Sequence, residues 1–354
     1  MTGMTLGVCK ETVPGERRVA LVPESVASVE ALGLAVVVES GAGAQSWRPD
    51  DLYRKAGAGI VTPEELIDRS DIVVGVRPPN LPVGSRFRRR QIVMALLDPL
   101  HMPFRVRDWA DAGVTSIGLD LAPQTSVLAR RMDAVASQGR LAGYKAALLA
   151  ADRLDRPLPD TVPTSPGPAR VLVLGSGDAA REAAGTLRRL GAEVRVRDDV
   201  LPGPQGAGEP GPGPLTGLDV LITAVRPRRG RPPPLLVTAR DLAGMGPGSV
   251  VVDTAVGPDG GNVEGARPER SGVVGPGVTL IGAGRLPEDI PVAASAAYAR
   301  NVIALLDYIV RDGDLWIDPD DPVQDAMTVT HDGFVHAQDV WQLILDQTAV
   351  AGMP

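Results

Sequence analysis

The stretch 171-VLVLGSGDAAREAAGTLRRLGAEVRVRD-198 decides the fold. Its first four residues are continuously aliphatic, as strands buried on both faces are. A small-residue turn follows at Gly175-Ser176-Gly177-Asp178-Ala179-Ala180. Residues 181–190 read as a helix, and 193–197 as the next strand, which ends at Asp198. Strand, turn, helix, strand and acid in this order make the βαβ unit of a dinucleotide-binding fold. Gly175 makes the tight turn, Gly177 lets backbone approach a pyrophosphate, and Ser176 lies between them in the same loop. Ala180 is small enough for close helix–strand packing. The start of the helix offers free N–H groups and a partial positive charge. Asp198 lies near the spacing of about 20 residues at which a carboxylate meets the ribose. There it would accept the ribose hydroxyls and repel a 2′-phosphate, which predicts NAD in preference to NADP; Arg197 leaves NADP open. Asp178 works against the site: a first-turn carboxylate suits the helix dipole but competes with an incoming pyrophosphate.

The surrounding chain has the same grammar. Strands are predicted over 4–9, 34–39, 71–76, 92–97 and 114–119, with helices over 23–32 and 49–56. Further strands follow at 171–174, 193–197, 220–224, 249–253 and 278–281. Such alternation predicts two Rossmann-like, doubly wound parallel-sheet α/β domains with a cleft between them. A long helix over 126–154 and another over 292–310 connect them. The expected division is 1–140 plus 301–354 for the first domain and 141–300 for the dinucleotide domain. Ala224 ends the strand beneath the nucleotide. The run 201-LPGPQGAGEPGPGP-214 is too rich in Pro and Gly for a helix and is predicted to be a disordered loop.

Composition narrows the function class. The 354 residues carry a formal net charge of −7, which argues against a nucleic-acid partner. Lysine occurs only at positions 10, 55 and 145, so nearly all 36 basic residues are arginine, a base-composition effect rather than a binding surface. Aromatics make up 3%, so the cores must be aliphatic. The single Cys9 excludes a disulfide framework and a multi-cysteine zinc site, and three scattered histidines have no metal-ligand spacing. No signal peptide and no apolar run of about 20 residues is visible, so a cytoplasmic protein without a membrane segment is expected.

Several strings, in order along nearly the whole chain, resemble the soluble NAD-binding component (alpha subunit) of NAD(P) transhydrogenase and its relative alanine dehydrogenase. They are Lys10-Glu11 with Pro14-Gly15-Glu16-Arg17-Arg18-Val19-Ala20, Glu39-Ser-Gly-Ala-Gly43, Ala142-Gly143-Tyr144-Lys145-Ala146, Pro247-Gly248-Ser249 through Asp253, Gly260-Gly261-Asn262, Leu286-Pro287 with Ser295 and Asn301, and Thr330-His-Asp-Gly333. The Gly-Gly-Asn string and the tail are closer to the transhydrogenase branch. That branch implies a homodimer, NAD(H) bound by this component, and hydride exchange with NADP(H) on a membrane partner subunit. It also implies that Arg18, Asp133, Ser137 and Gln138 face the nicotinamide. The alanine dehydrogenase branch implies a stand-alone dehydrogenase or imine reductase acting on a small amino or keto acid. Arg18 and Arg77 would then grip the substrate carboxylate, and Asp98 or His101 would supply a proton. A third outcome is a catalytically silent homologue that binds nucleotide or a protein partner.

The sequence departs from the family pattern in two places. The family's cleft loop, Pro-Arg-x-x-Arg-Ala-Gln-x-Met-Asp, reads here Pro123-Gln124-Thr-Ser-Val-Leu-Ala-Arg130-Arg131-Met132-Asp133. It is one residue longer and matches cleanly only at Met132-Asp133. The 201–214 run stands where the family has a further helix, strand and mobile lid. Arg77 falls on the family's substrate lysine and Asp98 on its histidine; arginine is a poor proton donor because its pKa exceeds about 12.

Overall fold

The computed structural model describes residues 3–81, 86–124, 126–161, 167–198, 215–227, 229–311, 313–318 and 320–351. The Pro/Gly-rich run 201–214, with the expected loss of the lid, lies outside them. Contacts divide the chain into two units, Met1–Val135 with Pro291–Pro354, and Ala136–Ile290.

The first unit opens with β1 (Thr5–Val8), α1 (Val26–Glu30), β2 (Ala35–Glu39), α2 (Asp50–Lys55), β3 (Gly59–Val61), α3 (Pro63–Arg69), β4 (Ile72–Val74), β5 (Ile92–Ala95), α4 (Pro103–Asp111) and β6 (Thr115–Gly118). These strands lie in the order β3-β2-β1-β4-β5-β6, all parallel. β2, β4 and β5 are almost wholly apolar, as strands covered on both faces are. Leu6, Val8, Ile72 and Val74 point into one core, and Val37 and Val73 into another with Leu66 and Ile67 of α3. A capping box starts α3: Thr62 accepts from the Glu65 N–H, and the Glu65 carboxylate accepts from the Thr62 N–H.

The segment 126–154, expected as one helix, takes a different path. Ala129–Arg131 is a 3-10 turn, and α5 (Ala134–Arg153) starts only after Asp133. The preceding segment is tied down elsewhere. Ala129 and Met132 are buried in the first core, and the Ala134 N–H donates to the Leu119 carbonyl after β6. That bond takes one of the N–H groups a longer helix would use.

The second unit continues from α5 to β7 (Arg170–Leu174), α6 (Asp178–Arg189), β8 (Glu193–Arg197), β9 (Val220–Thr223), α7 (Ala239–Leu242), β10 (Val250–Asp253), β11 (Arg270–Val274) and β12 (Val278–Gly282). Its sheet runs β8-β7-β9-β10-β12-β11. Successive residues of β7 alternate between two cores: Val171 and Val173 meet alanines of α5 and α6, while Leu172 and Leu174 pack with Leu221, Val251 and Leu280. β11 is antiparallel to β12. Its burial is poor, and it carries Arg270, Ser271 and Gly272, so it lacks the aliphatic signature that marks the other strands.

The chain returns to the first unit through α8 (Pro291–Ile309), whose Tyr298, Ala299, Val302 and Leu305 are buried in the first core. Beyond the expected elements, Thr328–His331 and Phe334–Val335 form a hairpin that extends the first sheet antiparallel to β6. Asp332 and Gly333 both have positive φ, 48° and 90°. Two adjacent left-handed residues match the twist of a two-residue hairpin, and Asp-Gly is a preferred pair for it. His331 is structural: its Nδ1 lies 2.9 Å from Thr115 Oγ1. Among the described residues no helix is long and apolar enough to cross a membrane.

Candidate functional site

In the second unit the chain leaves β7 for β8 on one side and later resumes at β9 on the other. The carboxyl ends of β7 and β9 therefore flank the point where strand order reverses, which is where open α/β sheets bind ligands. Gly175 follows β7 with φ +120°, and a Cβ there would stand 2.8 Å from the Ala224 carbonyl oxygen. Glycine is thus required by both dihedral and space. The Gly175 N–H donates to the Arg197 carbonyl at 2.7 Å, and the Ala224 N–H to the Leu174 carbonyl at 2.9 Å. Ser176 and Gly177 are exposed, and a Cβ on Gly177 would meet nothing within 4 Å. Gly177 is the N-cap of α6 and supplies no capping side chain. Ala180 is fully buried against the β-sheet core. Asp198 follows β8 directly and is exposed. The loop, the open approach and the carboxylate are thus gathered at one edge of this unit.

Asp178 does not project unopposed into that approach. Its Oδ1 accepts from Arg140 Nε at 3.2 Å and lies 3.6 Å from Arg181 Nη2. Arg140 reaches it because α5 and α6 meet at backbone distance. A Cβ on Gly143 would stand 2.1 Å from the Ala179 carbonyl oxygen, and one on Gly139 3.6 Å from Asp178 Cβ. Glycines four residues apart lie on one helix face, so they bring the Arg140 turn against the start of α6. Ser137 and Gln138 sit in the preceding turn; Gln138 is buried, with its Nε2 3.5 Å from Ser137 Oγ.

Two further residues shape the unit, although their sequence pattern alone assigns them no role. Asn262 is fully buried. Its Oδ1 accepts from the Val225 N–H at 3.0 Å, and its Nδ2 donates to the Val225 and Pro234 carbonyls. It therefore clips the loop that follows β9. Asp253, at the end of β10, accepts from the Ala255 and Val263 N–H groups, and burial pushes its carboxyl up. The Gly-Gly-Asn string is the visible signal, and its asparagine is a buried polar clip.

The first unit has its own switch point, between β1 and β4. The loops there carry Glu11, Glu16, Arg18 and Arg77. Arg18 and Glu16 form a buried ion pair, with side chains 3% and 0% exposed. Arg18 Nε donates to Glu16 Oε1 at 2.7 Å and Nη2 to Oε2 at 2.6 Å, and Arg77 Nε reaches Glu16 Oε2 at 3.1 Å. Burial pushes the Glu16 carboxyl up, but the Arg18 hydrogen bonds and the two guanidinium charges outweigh it and hold it below the ordinary value. Glu11 accepts from the Val76 and Arg77 N–H groups, and the Tyr298 hydroxyl donates to the Gly75 carbonyl at 2.8 Å. Sequence reasoning misses Glu11, Glu16 and Tyr298 as site residues; the signal for the two glutamates is their place in the family-like strings.

Burial, with the charge of Glu16 adding to it, pushes the Glu11 carboxyl from 4.5 to about 7. The folded chain thus holds a proton there that the unfolded chain has lost. The associated stability is present below about pH 4.5 and disappears as pH rises through 7, at about 1.4 kcal/mol for each pH unit crossed. We expect unfolding free energy to fall by about 3 kcal/mol across this window through Glu11. Glu11→Gln should flatten the slope, as read by denaturant titrations at pH 5 and 8; an unchanged slope would contradict the assignment.

Asp98, beyond the end of β5, has a left-handed backbone, φ 45°. Its carboxylate pairs with His101 Nδ1 at 2.8 Å, and both side chains are exposed. Asp120 anchors this turn by accepting from the Leu97 and Asp98 N–H groups; burial raises its carboxyl. Asp133 is buried, and the Asn301 amide holds the segment before it by donating to the Arg131 carbonyl at 2.7 Å. The Gly41–Gly43 turn is structural: Asp50 already accepts from the Gly41 N–H and the Ser40 hydroxyl.

Comparison with known proteins places this geometry. Residues 7–142 match the family model "Alanine dehydrogenase/PNT, N-terminal domain", and 214–338 match its C-terminal counterpart. NAD(P) transhydrogenase subunit alpha of Cereibacter sphaeroides is 32% identical, over 94% of this chain and 71% of that protein. Alanine dehydrogenase 1 of Staphylococcus aureus is 29% identical, over 87% of each chain. A transhydrogenase crystal structure from Sinorhizobium meliloti superposes with a TM-score of 0.80 at 35% identity, covering 94% of this chain and 98% of that one. The glycine loop at the β7–β9 switch point and the buried Glu16–Arg18 pair thus sit in a fold shared over almost the full length. The chain belongs to the alanine dehydrogenase/NAD(P) transhydrogenase alpha-subunit family.

Proposed function

We propose that this chain binds NAD(H) and exchanges hydride with NADP(H) held by a partner subunit, as a transhydrogenase alpha component. The observation that supports it best is the glycine loop at the β7–β9 switch point. Gly175 adopts a dihedral and a closeness to Ala224 that only glycine tolerates, and the face above Gly177 is open. The residues fit the group: the loop and the first N–H groups of α6 would meet the pyrophosphate, and Ala224 would lie beneath it. Asp198 would accept the ribose hydroxyls and discriminate against a 2′-phosphate. Ser137 and Gln138 are assigned to the nicotinamide end. A bound nicotinamide supplies the hydride; the side chains position it and do no proton chemistry in this reading. In the first unit, Arg18 and Asp133 are assigned to orienting the reacting groups.

A second reading has one observation in its favour. The Asp98–His101 pair beyond β5 has the form of a proton-transfer dyad, which a stand-alone dehydrogenase acting on a small carboxylate would need, with Arg18 and Arg77 as the carboxylate grip. Calorimetric titration with NADH and with NADPH tests both. Binding of NADH, more tightly than NADPH, is expected; binding of neither overturns both readings. Oxidation of NADH by an NADP analogue only when a transhydrogenase partner subunit is added supports the first. Turnover of a keto or imino acid by the chain alone replaces it with the second.

A further inference from the structure

We propose that two arginines, Arg140 and Arg181, take hold of the pyrophosphate, and that Asp178, which pairs with both of them, competes with it for their guanidiniums. This inference rests on the nucleotide reading above and adds binding residues to it. A glycine loop and helix start alone would present only N–H groups. This chain adds charge. Arg140 comes from α5, Arg181 from α6, and both guanidiniums converge on the Asp178 carboxylate, at 3.2 and 3.6 Å. Arg181 also donates through Nη1 to the Ser176 carbonyl at 2.7 Å, so it spans the loop itself. Arg226 enters the same patch from the loop after β9: its Nη2 lies 2.9 Å from where a Cβ on Gly139 would stand, and Asp178 Cβ lies 3.6 Å from that same point.

The exposure of these groups differs. The Asp178 side chain is 22% exposed, those of Arg140 and Arg181 60% and 67%. Asp178 is fixed at the start of α6, while both arginines can swing on flexible stems. Ion pairs this exposed are weak, so exchanging a single carboxylate for a pyrophosphate is readily reversible. Guanidiniums also bind phosphate oxygens in paired hydrogen bonds and bring a full positive charge. Two arginines against one carboxylate leave the loop net positive, so the competition between Asp178 and the ligand is one the ligand wins. The carboxylate then lowers affinity without abolishing binding.

The test uses the full chain with two probes, NADH and inorganic pyrophosphate, and with adenosine as a phosphate-free control. Arg140→Gln and Arg181→Gln should each weaken both probes by about tenfold, the loss typical of a charged hydrogen bond. Asp178→Asn keeps the side-chain shape and removes the charge; it should tighten both by about three- to tenfold, with adenosine unchanged. Arg140 and Arg181 are exposed and Asp178 is half-buried, and thermal melts would verify folding. Wild-type binding with no response in the arginine variants, or weaker binding by Asp178→Asn, overturns the proposal and leaves the nucleotide reading standing. The expected responses with pyrophosphate but no NADH binding by any form would uphold the arginine pair and overturn the nucleotide reading. Binding of neither probe by the wild type overturns both.

Discussion

Arg18→Met should destabilise the first unit by about 3–5 kcal/mol, the cost of leaving a buried carboxylate without its principal partner. Glu16 has no exposed side-chain surface and receives two short hydrogen bonds from Arg18. Methionine preserves much of the volume, so packing loss is a minor part of the effect. Arg77, whose Nε lies 3.1 Å from Glu16 Oε2, stays beside the carboxylate but is itself half-buried and lies farther off than Arg18. Losing the Arg18 hydrogen bonds and charge should shift the Glu16 carboxyl upward, because burial is then opposed only by Arg77 and the backbone N–H groups of residues 17 and 18. Its carboxyl would lie above the wild type's, so the deficit should shrink as pH falls from 8 to 5. Thermal melts would show a fall of roughly 10 °C for a unit of this size. Adding Glu16→Gln should restore part of the loss, since removing both charges is far less costly than removing one. A single variant as stable as the wild type at pH 8 would refute the buried-pair account.

Gly143→Ala carries the second large effect. In an isolated helix this change is favourable by about 1 kcal/mol, because alanine is the better helix former. Here the new Cβ would stand 2.1 Å from the Ala179 carbonyl oxygen and 2.8 Å from its carbon. Those are backbone atoms at the start of α6, so no side chain can turn aside, and α5 and α6 must separate. Overpacking of this kind costs about 1–3 kcal/mol and sometimes more, so a net loss of about 2 kcal/mol is expected. The separation would also pull Arg140 away from Asp178 and shift the phosphate loop, so NADH affinity should fall by at least about tenfold. Denaturant unfolding and calorimetry read the two consequences. A variant more stable than wild type would show that propensity, not the helix contact, governs this position.

Much of the fold is legible in the sequence because its signals are local. Val171 to Leu174 announces a doubly buried strand by being aliphatic throughout, and Gly175 to Ala180 announces the turn by lacking large side chains. The strands that escape a sequence reading carry no such mark. β11, Arg-Ser-Gly-Val-Val, is a largely exposed edge strand, and in Thr328–His331 the polar Thr330 and His331 bond to residues around β6. The Asp332-Gly333 pair is a readable hairpin signal, hidden inside a family-like string. Helix 126–154 reads too long because the Ala, Leu and Arg composition of 126–133 suits a helix, whereas burial of Met132 and the Ala134 to Leu119 hydrogen bond govern its path.

The phosphate loop illustrates the same division. Its glycines, its buried Ala180 and its terminal Asp198 lie within one βαβ unit, where sequence spacing and spatial spacing are nearly the same thing. The sequence by itself therefore determined the Rossmann architecture, the loop and the place of the acid. It could not determine what Asp178 does. The partners of that carboxylate are Arg181, three residues away, and Arg140, 38 residues earlier in the preceding helix. Likewise Glu11 meets Val76 and Arg77, and Glu16 meets Arg77, only because β4 lies beside β1. Ionisation and pairing depend on distances of a few ångströms between groups remote in the chain. Only the tertiary structure supplies those distances, and it shows the Asp178 carboxylate paired with two arginines rather than standing alone at the loop.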